Sequence, residues 1–309
     1  MKKITVLVPC YNEAEVLPLF VEAIKLIISD DTYQWEVLFV DDGSTDSTAE
    51  LLQQFYESDN RLCSISLSRN FGKEAAMLAG LDTAAESDAV IMMDADLQHP
   101  VSVIPKMIER WEQGYDDVYA RRMSRGKESR LRKFMTKQYY RLLEISTKQN
   151  VYPNVGDFRL LDRKCVEALR QMREAGRYTK GLCGYIGFKK TFVDFYQEER
   201  KAGKSKWSTS SLLHLALDGI MSYSVVPLRM ATVLGLIVSI MSFVYMIYVL
   251  IKSLAFGDPV RGYPTLIIVI LFLGGVELLS LGIIGEYLGK TFRESKHRPV
   301  YFIRDKRLS

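Results

Sequence analysis

"VIMMDADLQHP", residues 90–100, carries an apolar run straight into two aspartates separated by one alanine. Three more apolar, β-rich runs (4–8, 36–40 and 63–67) end the same way, in "PCYNE", "DDGSTD" and "SRNFGK". Between the runs lie helical patterns at 13–28, 48–56 and 74–85. Strand alternating with helix is the rhythm of a mostly parallel α/β sheet, in which ligands bind beyond the carboxyl ends of the strands. Four polar endings on one sheet edge therefore predict a site there. The opening "MKKITVLVPC" has the charged head of a signal peptide, but Pro9, Asn12 and Glu13 break it after five apolar residues, so it reads as the first strand.

The aspartates at the fourth ending suit a particular chemistry. Side chains at i and i+2 of a strand end point the same way, so Asp94 and Asp96 are expected to grip one hard divalent cation, Mg²⁺ or Mn²⁺, with Gln98 adding a neutral oxygen. Such an ion keeps positions open for phosphate oxygens, which makes a diphosphate-linked ligand its natural partner. The competing reading is that an acidic pair only caps the next helix. Capping is also expected of Ser44 or Asp46 in "DDGSTD". Arg69 and Lys73 reach toward a diphosphate or a neighbouring carboxylate, or simply stand in a solvated loop.

At 309 residues and 48% hydrophobic content the chain buries a substantial core, which excludes global disorder. The four cysteines (10, 63, 165 and 183) form no C-x-x-C pair, which argues against a zinc site or a disulfide framework. The last third changes the class of protein. Residues 230–251 contain no charge and as a helix would extend about 33 Å, matching a bilayer core of about 30 Å. Residues 265–288 give a second span containing Glu277, expected to sit between the helices near Gly274 and Gly275 or to contact another subunit. Seven Lys/Arg follow in residues 289–309, and Arg200, Lys201, Lys204, Lys206 and Arg229 precede the first span, so both termini are expected in the cytoplasm. The competing reading is a buried helical hairpin of a soluble protein. The expected organisation is a catalytic domain over 1–207, an interfacial helix over 208–228, a two-helix membrane hairpin over 229–289 and a basic tail over 290–309.

Net charge is only +4, but it is unevenly spread. Residues 121–141 hold nine Lys/Arg and one acidic residue, Glu128, with Leu131, Phe134, Met135, Tyr139 and Leu142 at helical spacing. That pattern predicts a basic amphipathic helix over about 127–146. Such a helix lies on an anionic membrane surface; the adjacent spans favour the bilayer over nucleic acid.

"VLVPCYNE", "FVDDGSTD", "LSRNFGKEAAMLAGLD" and "DADLQHP", in this order, resemble a family 2 glycosyltransferase of GT-A fold. "GDFRLLDR" and "RKAGKSKW" followed by two spans resemble its polyprenyl-phosphate branch, which includes dolichyl-phosphate mannose synthases and GtrB-like bactoprenol glucosyltransferases. The resemblance implies a Rossmann-like GT-A domain and places base and ribose against Pro9, Tyr11, Glu13 and Asp42. It places the acceptor phosphate against Arg122, Lys137, Arg200 and Lys206, with Ser205 as a further donor or a turn former, and puts Asp157 at the family's catalytic-aspartate position. Asp157 then acts as a base, or orients the sugar or a cation. The implied reaction is inverting, metal-dependent transfer of a hexose, with glucose from UDP-glucose fitting the bacterial relatives, to undecaprenyl phosphate at the bacterial inner membrane. A homo-oligomer through the membrane segments is expected. Two other classes stay open: a non-catalytic lipid- or nucleotide-binding membrane protein, and a processive polysaccharide synthase. The second needs Q-x-x-R-W, and the nearest string, "MIERW" at 107–111, lacks the Gln.

Overall fold

The computed structural model describes residues 1–123, 155–196, 226–256 and 262–308. The helix expected at 127–146, the one at 208–228, and Lys137, Arg200, Ser205 and Lys206 lie outside these residues. The chain forms two compact units.

In the first unit, β1 (Lys3–Cys10), β2 (Gln34–Asp41), β3 (Leu62–Leu67) and β4 (Ala89–Met92) are the four runs read from the sequence. They are nearly continuous in apolar residues because both faces are covered, as parallel strands require. The helices between them are α1 (Leu17–Ile28), α2 (Thr48–Ser58) and α3 (Lys73–Thr83). α3 lacks an amphipathic stripe because Ala75 through Leu81 are all buried. It approaches the sheet closely at Gly80, where an added Cβ would stand 2.0 Å from a Leu7 methyl.

After β4 come α4 (Ile104–Glu112), β5 (Asp117–Arg122), β6 (Val155–Asp162), α5 (Arg163–Gln171), α6 (Thr179–Tyr185) and β7 (Lys190–Phe195). "MIERW" belongs to α4, where Trp111 is buried and its indole N–H donates to Asp162 Oδ2 at 2.8 Å, a packing role. The sheet order is β7-β5-β6-β4-β1-β2-β3-β8. β1 pairs in parallel with β2 and β4, and β2 with β3, so the strand order reverses between β1 and β4, the place where open α/β sheets bind ligands. β6 runs antiparallel to β4, with Met92 opposite Arg159, which brings the start of β6 beside the end of β4.

The expected separate tail is corrected by the eighth strand. β8 (Ile303–Arg307) pairs antiparallel with β3, and Ser68 N–H donates to the Phe302 carbonyl at 2.9 Å. Tyr301 adds a 2.6 Å hydrogen bond to Asp82. A strand as charged as "IRDKR" suits a sheet edge, where its outward Arg304 and Lys306 face water and deter further pairing.

The second unit contains α7 (Val226–Phe256) and α8 (Tyr263–Ser295), which pack on each other and extend beyond the spans read from the sequence. Large apolar side chains cover their outside, among them Met241, Val244, Leu278 and Leu288, each more than 60% exposed. Water does not tolerate a surface of that kind, whereas a bilayer does. By length and composition, Phe272–Ser295 is able to cross a membrane. Glu277 is exposed on the outside of this pair, not enclosed between the helices.

Candidate active site

Each of the four parallel strands leaves the sheet through a residue of positive φ: Asn12 (54°) after β1, Gly43 (68°) after β2, Gly72 (96°) after β3 and Leu97 (55°) after β4. Left-handed backbone is unfavourable for a bulky side chain such as Leu97, and it is tolerated where surrounding contacts over-determine it. Around Asn12 such contacts are hydrogen bonds to the loop after β2. Asn12 N–H donates to Ser44 Oγ at 2.9 Å, and Thr45 N–H returns a bond to Asn12 Oδ1 at 2.8 Å. Asp46 accepts Thr48 N–H at the first residue of α2, the expected capping role, whereas Ser44 ties two loops together.

Asp42, expected at the ribose, is tied into the loop that follows β3. It is 3% exposed, and its two oxygens accept the backbone N–H groups of Phe71 and Gly72, each at 2.8 Å. Burial pushes its carboxyl up despite those bonds. The same approach of loops explains Gly43: a Cβ there would lie 2.4 Å from the Arg69 carbonyl carbon. Pro9 lies in β1 and Tyr11 and Glu13 follow its end, with Tyr11 37% exposed.

The ionic centre lies at the β1/β4 switch point. Lys73, the first residue of α3, donates from Nζ to Asp94 Oδ1 at 2.5 Å and to Asp157 Oδ2 at 2.8 Å. Asp157 arrives on the antiparallel strand β6. A second ammonium, Lys180 of α6, stands 3.6 Å from Asp157 Oδ1, which has no hydrogen bond among the described residues. Burial alone would raise the Asp157 carboxyl, but Lys73 and Lys180 outweigh it and hold the group at about 2. Burial likewise opposes the charge on Lys73, and Asp94 and Asp157 reverse that, raising it above the ordinary lysine value. His99 stacks on Phe158 at 4.9 Å between ring centroids, and its Nδ1 accepts the Asp94 N–H at 3.5 Å. Burial lowers its pKa, so it is neutral at pH 7.

The pleat does not orient Asp94 and Asp96, because β4 ends at Met92 and both stand in the turn that follows. Asp96 Oδ1 accepts the Gln98 N–H at 3.1 Å. Among the described residues no group of three or more His, Cys, Asp or Glu is gathered around one point. The described residues thus offer no closed cage for an ion. Two half-buried carboxylates instead fit a hard cation whose remaining ligands come from a substrate diphosphate.

Arg122 ends β5, half-buried. Its neighbour Arg121, on the other face of the strand, is spent on a bidentate pair with Asp194 at 2.7 and 3.0 Å. The sequence does not single out Lys180, Glu74 or His99: His99 lies within "DADLQHP", but nothing local distinguishes Lys180 from other lysines.

The model of glycosyl transferase family 2 matches residues 5–170, and that of the GtrB C-terminal hairpin matches residues 226–291. A bactoprenol glucosyl transferase of Shigella phage SfV is 42% identical over 305 residues, covering 99% of both chains. A prophage bactoprenol glucosyl transferase homolog of Escherichia coli K12 is 40% identical over 98% of both chains. Among solved structures, glucosyl-3-phosphoglycerate synthase of Mycobacterium tuberculosis, in complex with Mn²⁺, UDP and glucosyl-3-phosphoglycerate, superposes with a TM-score of 0.52 at 18% identity. It covers 71% of this chain and 78% of its own, a likeness of fold.

Proposed function

The chain belongs to the family 2 glycosyltransferases, and from that membership we propose that it moves a hexose, glucose from UDP-glucose, onto the phosphate of undecaprenyl phosphate. The observation that carries this reading is the near-full-length likeness to bactoprenol glucosyl transferases, which extends through the helical hairpin. The nucleotide lies against Pro9, Tyr11 and Glu13 at the end of β1, and Asp42 holds the β3 loop in place beside it. Asp94 and Asp96, with Gln98, would hold Mg²⁺ or Mn²⁺, which would neutralise charge developing on the departing diphosphate. Lys73 adds its ammonium to the same side. An oxygen of the acceptor phosphate attacks the anomeric carbon as the bond to the diphosphate breaks, with inversion. A phosphate monoester is already largely ionised at pH 7, so no proton need be removed. Asp157, held at about 2 by its two lysines, serves as an anchor for cations and not as a base. Arg122, Lys137, Arg200, Ser205 and Lys206 are the acceptor-side groups.

Connectivity supports a cytoplasmic catalytic unit at the bacterial inner membrane. The chain leaves the sheet after β7 and rejoins it as β8, so both ends of the hairpin return to one side, the side rich in Lys/Arg. With Glu277 turned outward, its partner belongs to a second copy in a homo-oligomer. The test is transfer from a panel of labelled nucleotide sugars by the purified full-length protein. UDP-glucose should label a lipid only when undecaprenyl phosphate is added; a polymer, or labelling without the lipid phosphate, would overturn the reading.

A further inference from the structure

Two helix starts are tied together at this site. α3 opens with Lys73–Glu74 and α6 with Thr179–Lys180, and Glu74 Oε2 accepts both the N–H and the hydroxyl of Thr179, at 2.8 and 2.5 Å. Thr179 is 1% exposed, so the tie is internal. Its consequence is that the adjacent lysines, brought together across the fold, converge on opposite oxygens of Asp157. They are held differently. Lys73 is shared by two carboxylates at hydrogen-bond distance, whereas Lys180 reaches one carboxylate at 3.6 Å and keeps 34% of its side chain exposed.

A dianionic phosphate approaching Asp157 would be repelled unless a cation stood between them. On the Oδ2 side that cation is Lys73, already linked to Asp94 and so to the donor. An inverting displacement brings the acceptor from the opposite side of the sugar, and one ammonium cannot serve both anions. We propose that Lys180 is an acceptor-binding residue whose ammonium receives the lipid phosphate, held in position by Asp157 and by the Glu74–Thr179 tie. The resulting order of charge is Asp94, Lys73, Asp157, Lys180, phosphate, with signs alternating throughout. This inference rests on the polyprenyl-phosphate reading.

The test uses the full-length protein in detergent, with undecaprenyl phosphate varied at saturating donor and UDP binding measured by calorimetry. Lys180→Met should raise the KM for undecaprenyl phosphate about 10- to 100-fold, the worth of a charge-assisted hydrogen bond, with UDP affinity within about twofold of wild type. Lys180→Arg should recover most of the loss, a rescue that a purely structural role would not give. An unchanged KM in both variants, or a loss of UDP affinity in place of acceptor affinity, would overturn the assignment while leaving the function standing. Absence of transfer to undecaprenyl phosphate by the wild-type protein would remove both.

Discussion

Replacing Asp157 by Asn keeps the shape of the side chain and removes its charge, which separates a base from an anchor. With its carboxyl held at about 2, Asp157 lies about 4 units below the second ionisation of a phosphate monoester near 6. Moving a proton from acceptor to Asp157 would therefore be uphill by about 5 kcal/mol at 1.36 kcal/mol per unit, which removes any advantage as a base. The anchor has a value of its own. Burial raises this carboxyl and the two lysines more than offset it, so the net depression from 3.8 to about 2 favours the charged form by about 2 kcal/mol, and Asp157 is only 13% exposed, so solvent screens little of it. With the whole of that free energy used to place the two ammonium groups for the transition state, Asp157→Asn should lower kcat/KM about 30-fold. The pH profile is the sharper readout. The acceptor reacts as its dianion, so the rate should rise from pH 5 to 7 and then level, with the same inflection near 6 in wild type and variant. Asp157 does not titrate in that window. A depressed carboxyl stabilises the fold fully above its unfolded value near 4 and loses that contribution only as pH falls through 2, so the cost of the variant is constant across the assay. Radiolabelled transfer between pH 5 and 9 measures this. Loss of the inflection in Asp157→Asn, or a drop beyond about 1,000-fold relieved by added formate, would refute the anchor and restore the base.

Gly43→Ala should cost about 1–3 kcal/mol in a denaturation experiment and weaken UDP binding, because its Cβ would meet the Arg69 carbonyl carbon at 2.4 Å from a backbone at φ 68°. Ending the chain at His297 removes β8 and bares the β3 edge; the melting temperature of the full-length protein should fall by more than about 5 °C, and an unchanged melt would show that the strand adds nothing. Excess chelator should stop transfer, and Asp96→Asn should nearly abolish it with the melting temperature preserved; turnover in chelator would exclude the metal. The four native cysteines are buried and thus silent, so an impermeant thiol reagent applied outside the cell should label a cysteine placed at 258 and miss one at 309. The reverse pattern would invert the topology.

Much of this architecture is legible in local sequence. Buried parallel strands are short continuous apolar runs, their polar endings mark one edge, and an uncharged stretch of 22 residues falls within one long helix of the C-terminal pair. These features depend on side-chain periodicity within a few residues of one another. Other features do not. Nothing within "GDFRLLDR" says that β6 runs antiparallel to β4, yet that direction sets Asp157 beside Asp94. "IRDKR" holds one apolar residue and reads as a solvated tail, because an edge strand is stabilised by backbone bonds to β3 that leave little trace in its side chains. Nothing local to "DDGSTD" says that Asp42 accepts two backbone N–H groups 29 and 30 residues away. Lys180 becomes significant only through Asp157 and Glu74, each from a different element. Propensity and hydrophobic pattern determine which segments become strand, helix or span. Strand direction, loop contacts and the pairing of distant charges are long-range properties, decided only when the sheet closes and the energy of burial selects one arrangement.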